Sequence, residues 1–391
     1  MNFDLSPSDQ EFRHDLRLWL ADHAPKGPPA GPLWSDPEME RRRAWQRTLF
    51  AGGYAGLAWP REYGGRGATL MQQIVFNEEV ARARTPDPLN RIGLFMVGPT
   101  IISAGTEEQR QRYLRPILSA DEIWCQGFSE PDAGSDLASI RCRAVDRGDH
   151  YEVVGQKVWT TLARIASWCL LLTRTSQESA RRGAFTMLLV DMHSPGVRVR
   201  PLRDMTGGSQ FNEVFFDNVQ VPKTQILGQP GNGWSVAMTT LAHERGTLAL
   251  SLAMELDIVV DEVVELARHR LPALDEAQRP LVRQRLAELA IEARTLRLNG
   301  YRGLRNMLRA EDPGPEGALG RLHWSGINQR LQDLGVDLLG MEGALSDAGV
   351  LEVTRRIEQF LASRGQTIAG GTSEILRNTV AERLLGLPRS R

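Results

Sequence analysis

With 391 residues, 41% of them apolar, the chain can fill more than one hydrophobic core, so two or three domains are expected. A formal net charge of −1 excludes a bulk field for nucleic acid or acidic lipid, and no apolar run approaches the length of a membrane span. Cys125, Cys142 and Cys169 form no C-x-x-C or Cys/His cluster, which argues against disulfides and bound metal and for a reducing compartment. The opening MNFDLSPSDQ carries no basic, apolar leader, so a cytoplasmic location is expected. Lysine is scarce: of 47 basic residues only Lys26, Lys157 and Lys223 are lysines.

Ser6-Pro7 marks a helix start, and Phe12, Leu16, Trp19 and Leu20 follow at helical spacing until the chain meets Pro25. Beyond the Pro/Gly linker 27–32, helices are expected over 37–51, 70–84, 89–104 and 107–118, the last begun by Thr106 ahead of Glu107, Glu108 and Gln109. The Gly-rich run 59–67 between them fits neither period and reads as a loop. From Ile123 to Gly228 the texture changes to short runs rich in Val, Trp, Thr and Phe, with strands expected over 137–145, 150–154, 157–161, 167–173, 184–190, 197–200 and 211–216. Helical spacing returns over 234–268, 279–310, 315–339, 348–363 and 372–385, lengths that suit a bundle.

Four stretches carry candidate chemistry. In 123–136 an extended run ends in Ser129, Pro131, Ala133, Gly134 and Ser135, so a strand enters a tight turn; a strand edge suits a flat heteroaromatic ring and a Gly/Ser turn suits phosphate, although an ordinary surface loop reads the same way. In 156–161, Trp159 can cover a flat ring and the Thr161 hydroxyl can meet a ring nitrogen, though both are also common strand residues. In 241–245, Glu244 falls on the stripe of Met238, Leu241, Leu248 and Leu252; burial there raises a carboxyl's pKa and makes it a better base, unless the side chain tips away to pair with an arginine. In 368–389, Gly370-Gly371 permits close backbone approach and Thr372 can cap a helix facing a phosphate, or simply start one.

The runs Ala58-Trp59-Pro60-Arg61-Glu62-Tyr63-Gly64-Gly65, Ser129-Glu130-Pro131-Asp132-Ala133-Gly134-Ser135-Asp136, Gly155-Gln156-Lys157-Val158-Trp159, Gly370-Gly371-Thr372-Ser373-Glu374-Ile375 and Ala381-Glu382-Arg383-Leu384-Leu385-Gly386-Leu387-Pro388 are highly specific in this order. Through them the chain resembles the acyl-CoA dehydrogenase family, most closely its bacterial fatty-acid-type and steroid-side-chain-type members. The resemblance implies an α+β multidomain fold: an N-terminal α-helical domain at 1–121, a middle β domain at 122–230 and a C-terminal four-helix bundle at 231–391. It implies FAD as cofactor, an acyl-CoA thioester as substrate, a trans-2-enoyl-CoA as product and an electron-transfer flavoprotein as partner.

By motif match, Phe128, Ser129, Trp159 and Thr161 line the flavin ring, Ser135 lies toward the CoA phosphates, and Thr372 with Glu374 reaches the adenosine end of FAD. Gly370 stands where many members carry their base, and its N–H is the implied donor to the thioester oxygen. The base then matches Glu244, as in a second branch of the family, with Arg245 holding the electrostatics of the site. The family's Arg-x-x-Phe-Gly is absent; Arg268-His269-Arg270-Leu271-Pro272-Ala273-Leu274 stands there, and Leu338-Leu339-Gly340-Met341-Glu342-Gly343 replaces the usual Gln-x-x-Gly-Gly. Arg268 or Arg270 is therefore expected to meet the FAD diphosphate across a homodimer or homotetramer contact. Rival expectations are a flavin-dependent monooxygenase of the same fold and a non-catalytic subunit of a hetero-oligomer.

Overall fold

Ser6 accepts from the Asp9 amide at 3.2 Å, so helix α1, Pro7–His23, begins at the cap that its sequence requires. Helix α2 is Asp36–Ala51, α3 Leu70–Arg82, α4 Gly98–Ala104 and α5 Glu107–Ser119, with full capping boxes at Thr69/Gln72 and Thr106/Gln109. In this computed structural model, residues 5–27, 29–176, 183–308, 316–344 and 351–388 are described, apart from the side chains of 243–251, 302–308, 316, 344 and 351–352. The helix expected over 89–104 is broken: Gly93–Val97 is π-helical before α4 begins. The Leu94 carbonyl within it accepts from the Trp59 indole at 3.2 Å, so part of the 59–67 loop serves to complete this irregular turn.

The strands are β1 Trp124–Gly127, β2 Arg143–Asp146, β3 His150–Lys157, β4 Trp168–Arg174, β5 Phe185–Asp191, β6 Val197–Leu202, β7 Phe211–Pro222 and β8 Ile226–Leu227. They form one sheet in the order β6-β7-β3-β2-β4-β5-β8, with β1 parallel to β4 off that path. Two of the expected strands, 150–154 and 157–161, are really one strand ending at Lys157, after which the chain turns. The 137–145 segment starts as a 3₁₀ turn and becomes β2 only at Arg143. Within β3 the pairing to β7 shifts between Val153 and Gly155; Gly155 has φ +155, and a Cβ there would lie 2.7 Å from the Cys142 Cα.

Two buried amides place the start of β1. Gln46 donates to the carbonyls of Ile117 and Leu118 and accepts from the Asn90 amide, and Asn90 donates to Ile117 and Glu122 while accepting from Trp124 N at 3.0 Å. Helices α2 and α5 are thereby tied to the first residue of the strand that leads to the candidate site.

The C-terminal elements are α6 Gly233–Arg270, α7 Gln278–Leu308, α8 Glu316–Leu339, α9 Leu351–Gln366 and α10 Ser373–Thr379, followed by a π-helical turn Val380–Leu384. Residues 348–350 of the helix expected over 348–363 lie outside the described residues. The chain divides into two compact units, one of Met1–Leu33, Thr69–Thr85 and Arg245–Arg391, the other of Trp34–Ala68 and Pro86–Glu244. In the first unit, apolar residues of α6, α7 and α8 including Leu256, Val263, Leu289, Leu331 and Leu334 form one core. Glu79 of α3, 2% exposed, is held by Arg17 of α1 at 2.8 Å, and Glu78 meets Tyr301 at 2.7 Å and Arg297 at 2.9 Å on α7.

The second unit's sheet buries all three cysteines, Cys125 lying opposite Cys169 in the β1–β4 register. Burial pushes the Cys142 thiol up to about 12 and the Cys125 thiol well above its ordinary value. In the unfolded chain these thiols ionise near about pH 8.5, so above that pH the unfolded state binds fewer protons and stability falls as pH rises. Urea denaturation between pH 7 and 10 is expected to show this fall, with a shallower slope in a Cys125→Ala/Cys142→Ala variant; equal slopes would remove the thiols as its cause.

Candidate active site

Past Gly127 the chain leaves β1 through Phe128, which is buried, and Ser129, which is half-buried. Glu130 then turns back on itself: its amide donates to the Ala133 carbonyl at 3.0 Å and its carbonyl accepts from Ala133 N at 3.1 Å. The Glu130 carboxylate accepts from Arg141 N at 2.7 Å, Cys142 N at 2.8 Å and Lys157 Nζ at 2.9 Å. Lys157, wholly buried at the end of β3, also donates to the Phe128 carbonyl at 2.9 Å. A buried ammonium is tolerated only when paired and hydrogen-bonded, and this one joins three segments of chain at one point.

Immediately after Lys157, Val158 N donates to the Ser129 carbonyl at 2.9 Å, so the two candidate stretches run side by side. Trp159 and Leu162 both have φ +60. Left-handed backbone at a residue other than glycine costs about 1–3 kcal/mol and persists only where the surroundings impose it. Here Thr160 N donates to the Asn212 carbonyl at 3.0 Å and Leu162 N to the Gln210 carbonyl at 2.9 Å. The turn leaves Trp159 60% exposed, its ring edge-on to Phe211 at 5.9 Å. The hydroxyls of Ser129 and Thr161 have no hydrogen-bond partner among the described residues.

The backbone around Phe128 and Ser129 thus runs beside that of Val158 to Thr161, with Phe128 buried and Trp159 exposed, while Ser135 is exposed farther along the 130–136 loop. The backbone of Glu244 and Arg245 lies within α6, and their side chains are outside the described residues. In the other unit Gly370 and Gly371 have φ +69 and +115, and the Thr372 hydroxyl caps α10 by accepting from Ile375 N at 3.4 Å. Its own backbone N–H and the Thr372 side chain hold the Glu374 carboxyl below its ordinary value. Arg268 is exposed and paired with Glu265 at 3.1 Å. Arg270 makes a two-pronged pair with Glu342 at 2.5 and 3.2 Å, which lowers the Glu342 carboxyl's pKa.

Three participants were not singled out by sequence: Glu130 with Lys157, Asn212, and Glu342 as partner of Arg270. Only the first left a trace, since a lysine kept in so arginine-rich a chain stands out at position 157. The remaining two depend on partners 52 and 72 residues away.

Family models match the chain end to end: the acyl-CoA dehydrogenase N-terminal domain over residues 6–121, the middle domain over 125–219 and the C-terminal domain over 231–385. The chain belongs to the acyl-CoA dehydrogenase family. A similar relative is acyl-CoA dehydrogenase IpdE1 of Mycobacterium tuberculosis, 41% identical over 386 residues that cover 97% of this chain and 98% of the relative. Among solved structures, the Tcur3481-Tcur3483 steroid ACAD has a TM-score of 0.86 at 28% identity, with both chains fully covered. The ChsE4-ChsE5 complex from Mycobacterium tuberculosis has a TM-score of 0.82 at 28% identity, again with both chains fully covered. This acyl-CoA dehydrogenase therefore has the family's helical, β and helical domain order, and the family implies FAD binding.

The residues present fit a flavin: an exposed indole, two hydroxyls without partners among the described residues and backbone held in an unusual shape occur on adjacent stretches of chain. Among the described residues no helix is long and apolar enough to cross a membrane, and no metal-holding cluster occurs. Breaking a buried ion pair by removing one partner costs about 3–5 kcal/mol, so Lys157→Met and Glu130→Gln are each expected to lower the urea-unfolding free energy by that order. Replacing both at once should cost less than the sum of the two; additive losses would show that the pair is not coupled.

Proposed function

We propose that this chain removes hydrogen from the α and β carbons of an acyl-CoA thioester to give a trans-2-enoyl-CoA, with Glu244 as the base. The observation that carries the reading is the strained turn that presents Trp159 and Thr161 beside Ser129, a surface suited to one edge and face of a flavin ring. Bound FAD would supply the hydride acceptor. Glu244 takes the α proton, an assignment supported by its place in the helical stripe and by a glycine at position 370, which cannot act as base. The Gly370 N–H donates to the thioester oxygen as negative charge develops, and Arg245 balances the charge of the base. Ser135 would contact the CoA phosphates, Phe128 and Ser129 would line the slot for the ring, and Thr161 would hydrogen-bond the ring. Thr372 and Glu374 reach the adenosine end. An electron-transfer flavoprotein is the partner that would take the electrons on.

A two-chain assembly is favoured by one observation. The arginines offered for the diphosphate are engaged within this chain, Arg268 with Glu265 and Arg270 with Glu342. A diphosphate must compete with those carboxylates, so we infer that a second dehydrogenase-like chain supplies the missing contact. The solved steroid ACAD and the ChsE4-ChsE5 complex, each named for two chains, support this assembly and a thioester of a steroid-derived acid as substrate.

Glu244→Gln is expected to retain flavin but to slow anaerobic flavin bleaching by substrate about 10²–10⁴-fold, the usual worth of a positioned base. Bleaching at the wild-type rate would end that assignment. Flavin content separates the assemblies: a chain that purifies yellow by itself, and keeps its flavin on dilution, needs no second chain. In the same assay a steroid-derived acyl-CoA is expected to bleach flavin faster than straight-chain acyl-CoAs, and the reverse order would remove the steroid assignment.

A further inference from the structure

Asn212 is wholly buried at the second position of β7. Its side chain leaves the strand ladder and donates from Nδ2 to the Thr160 carbonyl at 2.9 Å and to the Gln210 carbonyl at 3.3 Å. Its own carbonyl accepts from Thr160 N at 3.0 Å. Both backbone groups of Thr160 are therefore held by one residue, and Thr160 is the residue between Trp159 and Thr161. The Gln210 carbonyl, which Asn212 also meets, accepts from Leu162 N at 2.9 Å. Both left-handed positions, 159 and 162, are flanked or fixed by this set of bonds.

A polar side chain in such a place carries a cost. Asn212 Oδ1 and Thr160 Oγ1 are both buried and have no partner among the described residues, so the asparagine brings with it an unsatisfied acceptor that an apolar side chain would lack. The Nδ2 bonds to the turn are what the asparagine provides in return. We propose that Asn212 is a positioning residue for the cofactor wall: it holds Thr160 so that the Trp159 ring and the Thr161 hydroxyl already face outward before FAD binds. This rests on the reading that the flavin ring lies against those two residues. Its physical content is preorganisation, in which ordering is completed in the free protein and does not have to be supplied on binding.

The test uses Asn212→Leu, of similar size without the donor, and Asn212→Asp, of nearly identical shape with the donor replaced by an acceptor. Far-UV circular dichroism establishes that each folds, and if one does not, the other carries the test. In the apoprotein, hydrogen exchange at the Thr160 and Leu162 amides is expected to quicken in both variants. FAD titration is expected to show affinity lower by about tenfold to a hundredfold, the effect of losing one or two buried hydrogen bonds. Flavin-induced quenching of Trp159, read as the difference from a Trp159→Phe control, is expected to be weaker at saturation.

Unchanged amide exchange in a folded variant would overturn the clamp. Faster exchange with unchanged FAD affinity and quenching would overturn its role toward the cofactor. If the Trp159→Phe control quenches as strongly as wild type, the ring lies elsewhere and the proposed cofactor surface falls, while amide exchange still decides whether Asn212 holds the turn.

Discussion

The candidate site depends on the ion pair between Lys157 and Glu130. With Lys157 wholly buried and Glu130 9% exposed, neither charge has enough water to stand alone. The bonds that compensate them are also the bonds that shape the site. Glu130 gathers the amides of Arg141 and Cys142 on the approach to β2, and Lys157 draws in the Phe128 carbonyl at the exit from β1. Three segments distant in sequence are thus tied together by hydrogen bonds, and the chain beyond Lys157 passes Ser129 into the strained turn. An apolar replacement of the pair could match its stability, but it could not dictate these directions.

The charge balance at the other end of the chain is different in kind. Arg270 and Glu342 are both partly exposed, and their pair adds little to stability in water. Its consequence concerns ligands, because an arginine already forked onto a carboxylate presents little net charge to a diphosphate. The same residues replace two family features together, Arg-x-x-Phe-Gly by the segment around Arg270 and Gln-x-x-Gly-Gly by the segment around Glu342. The two replacing segments meet each other through Arg270 and Glu342, at 2.5 Å.

The sequence was most legible where structure is local. Ser6 and Thr106 cap the helices expected of them, and the alternation in 211–216 is a true strand, although β7 runs on to Pro222. It was least legible where a distant group decides. Val158, Trp159 and Thr160 have the composition of a strand, yet bonds to Ser129 and Asn212 take them out of the sheet. The π-helical turn at 93–97 has no local signature either; it is completed by an indole from Trp59. Phe128, Ser129, Trp159 and Thr161 were grouped through the resemblance; nothing in their spacing requires Val158 to bond Ser129. The stripe that marks Glu244 passes through side chains outside the described residues, so its support remains the pattern itself.

Some of the motif residues that carry the family resemblance are scaffold. Trp59 supports the π-helical turn, and a Cβ on Gly65 would lie 2.2 Å from the Trp59 carbonyl oxygen, so the Ala58–Gly65 run is a packing unit. In the two middle-domain motifs Glu130, Ala133, Lys157 and Val158 are buried, and Glu130 with Lys157 is bonded inward, whereas Pro131, Asp132, Gly134, Ser135, Asp136 and Trp159 are exposed. A match in such motifs is therefore strong evidence for how the chain folds and weaker evidence for which proton it moves. The base is the one role the motifs leave undefined, since Gly370 occupies its usual place. That is why helical periodicity around Glu244, which owes nothing to the motifs, is the argument on which the assignment of the base has to stand.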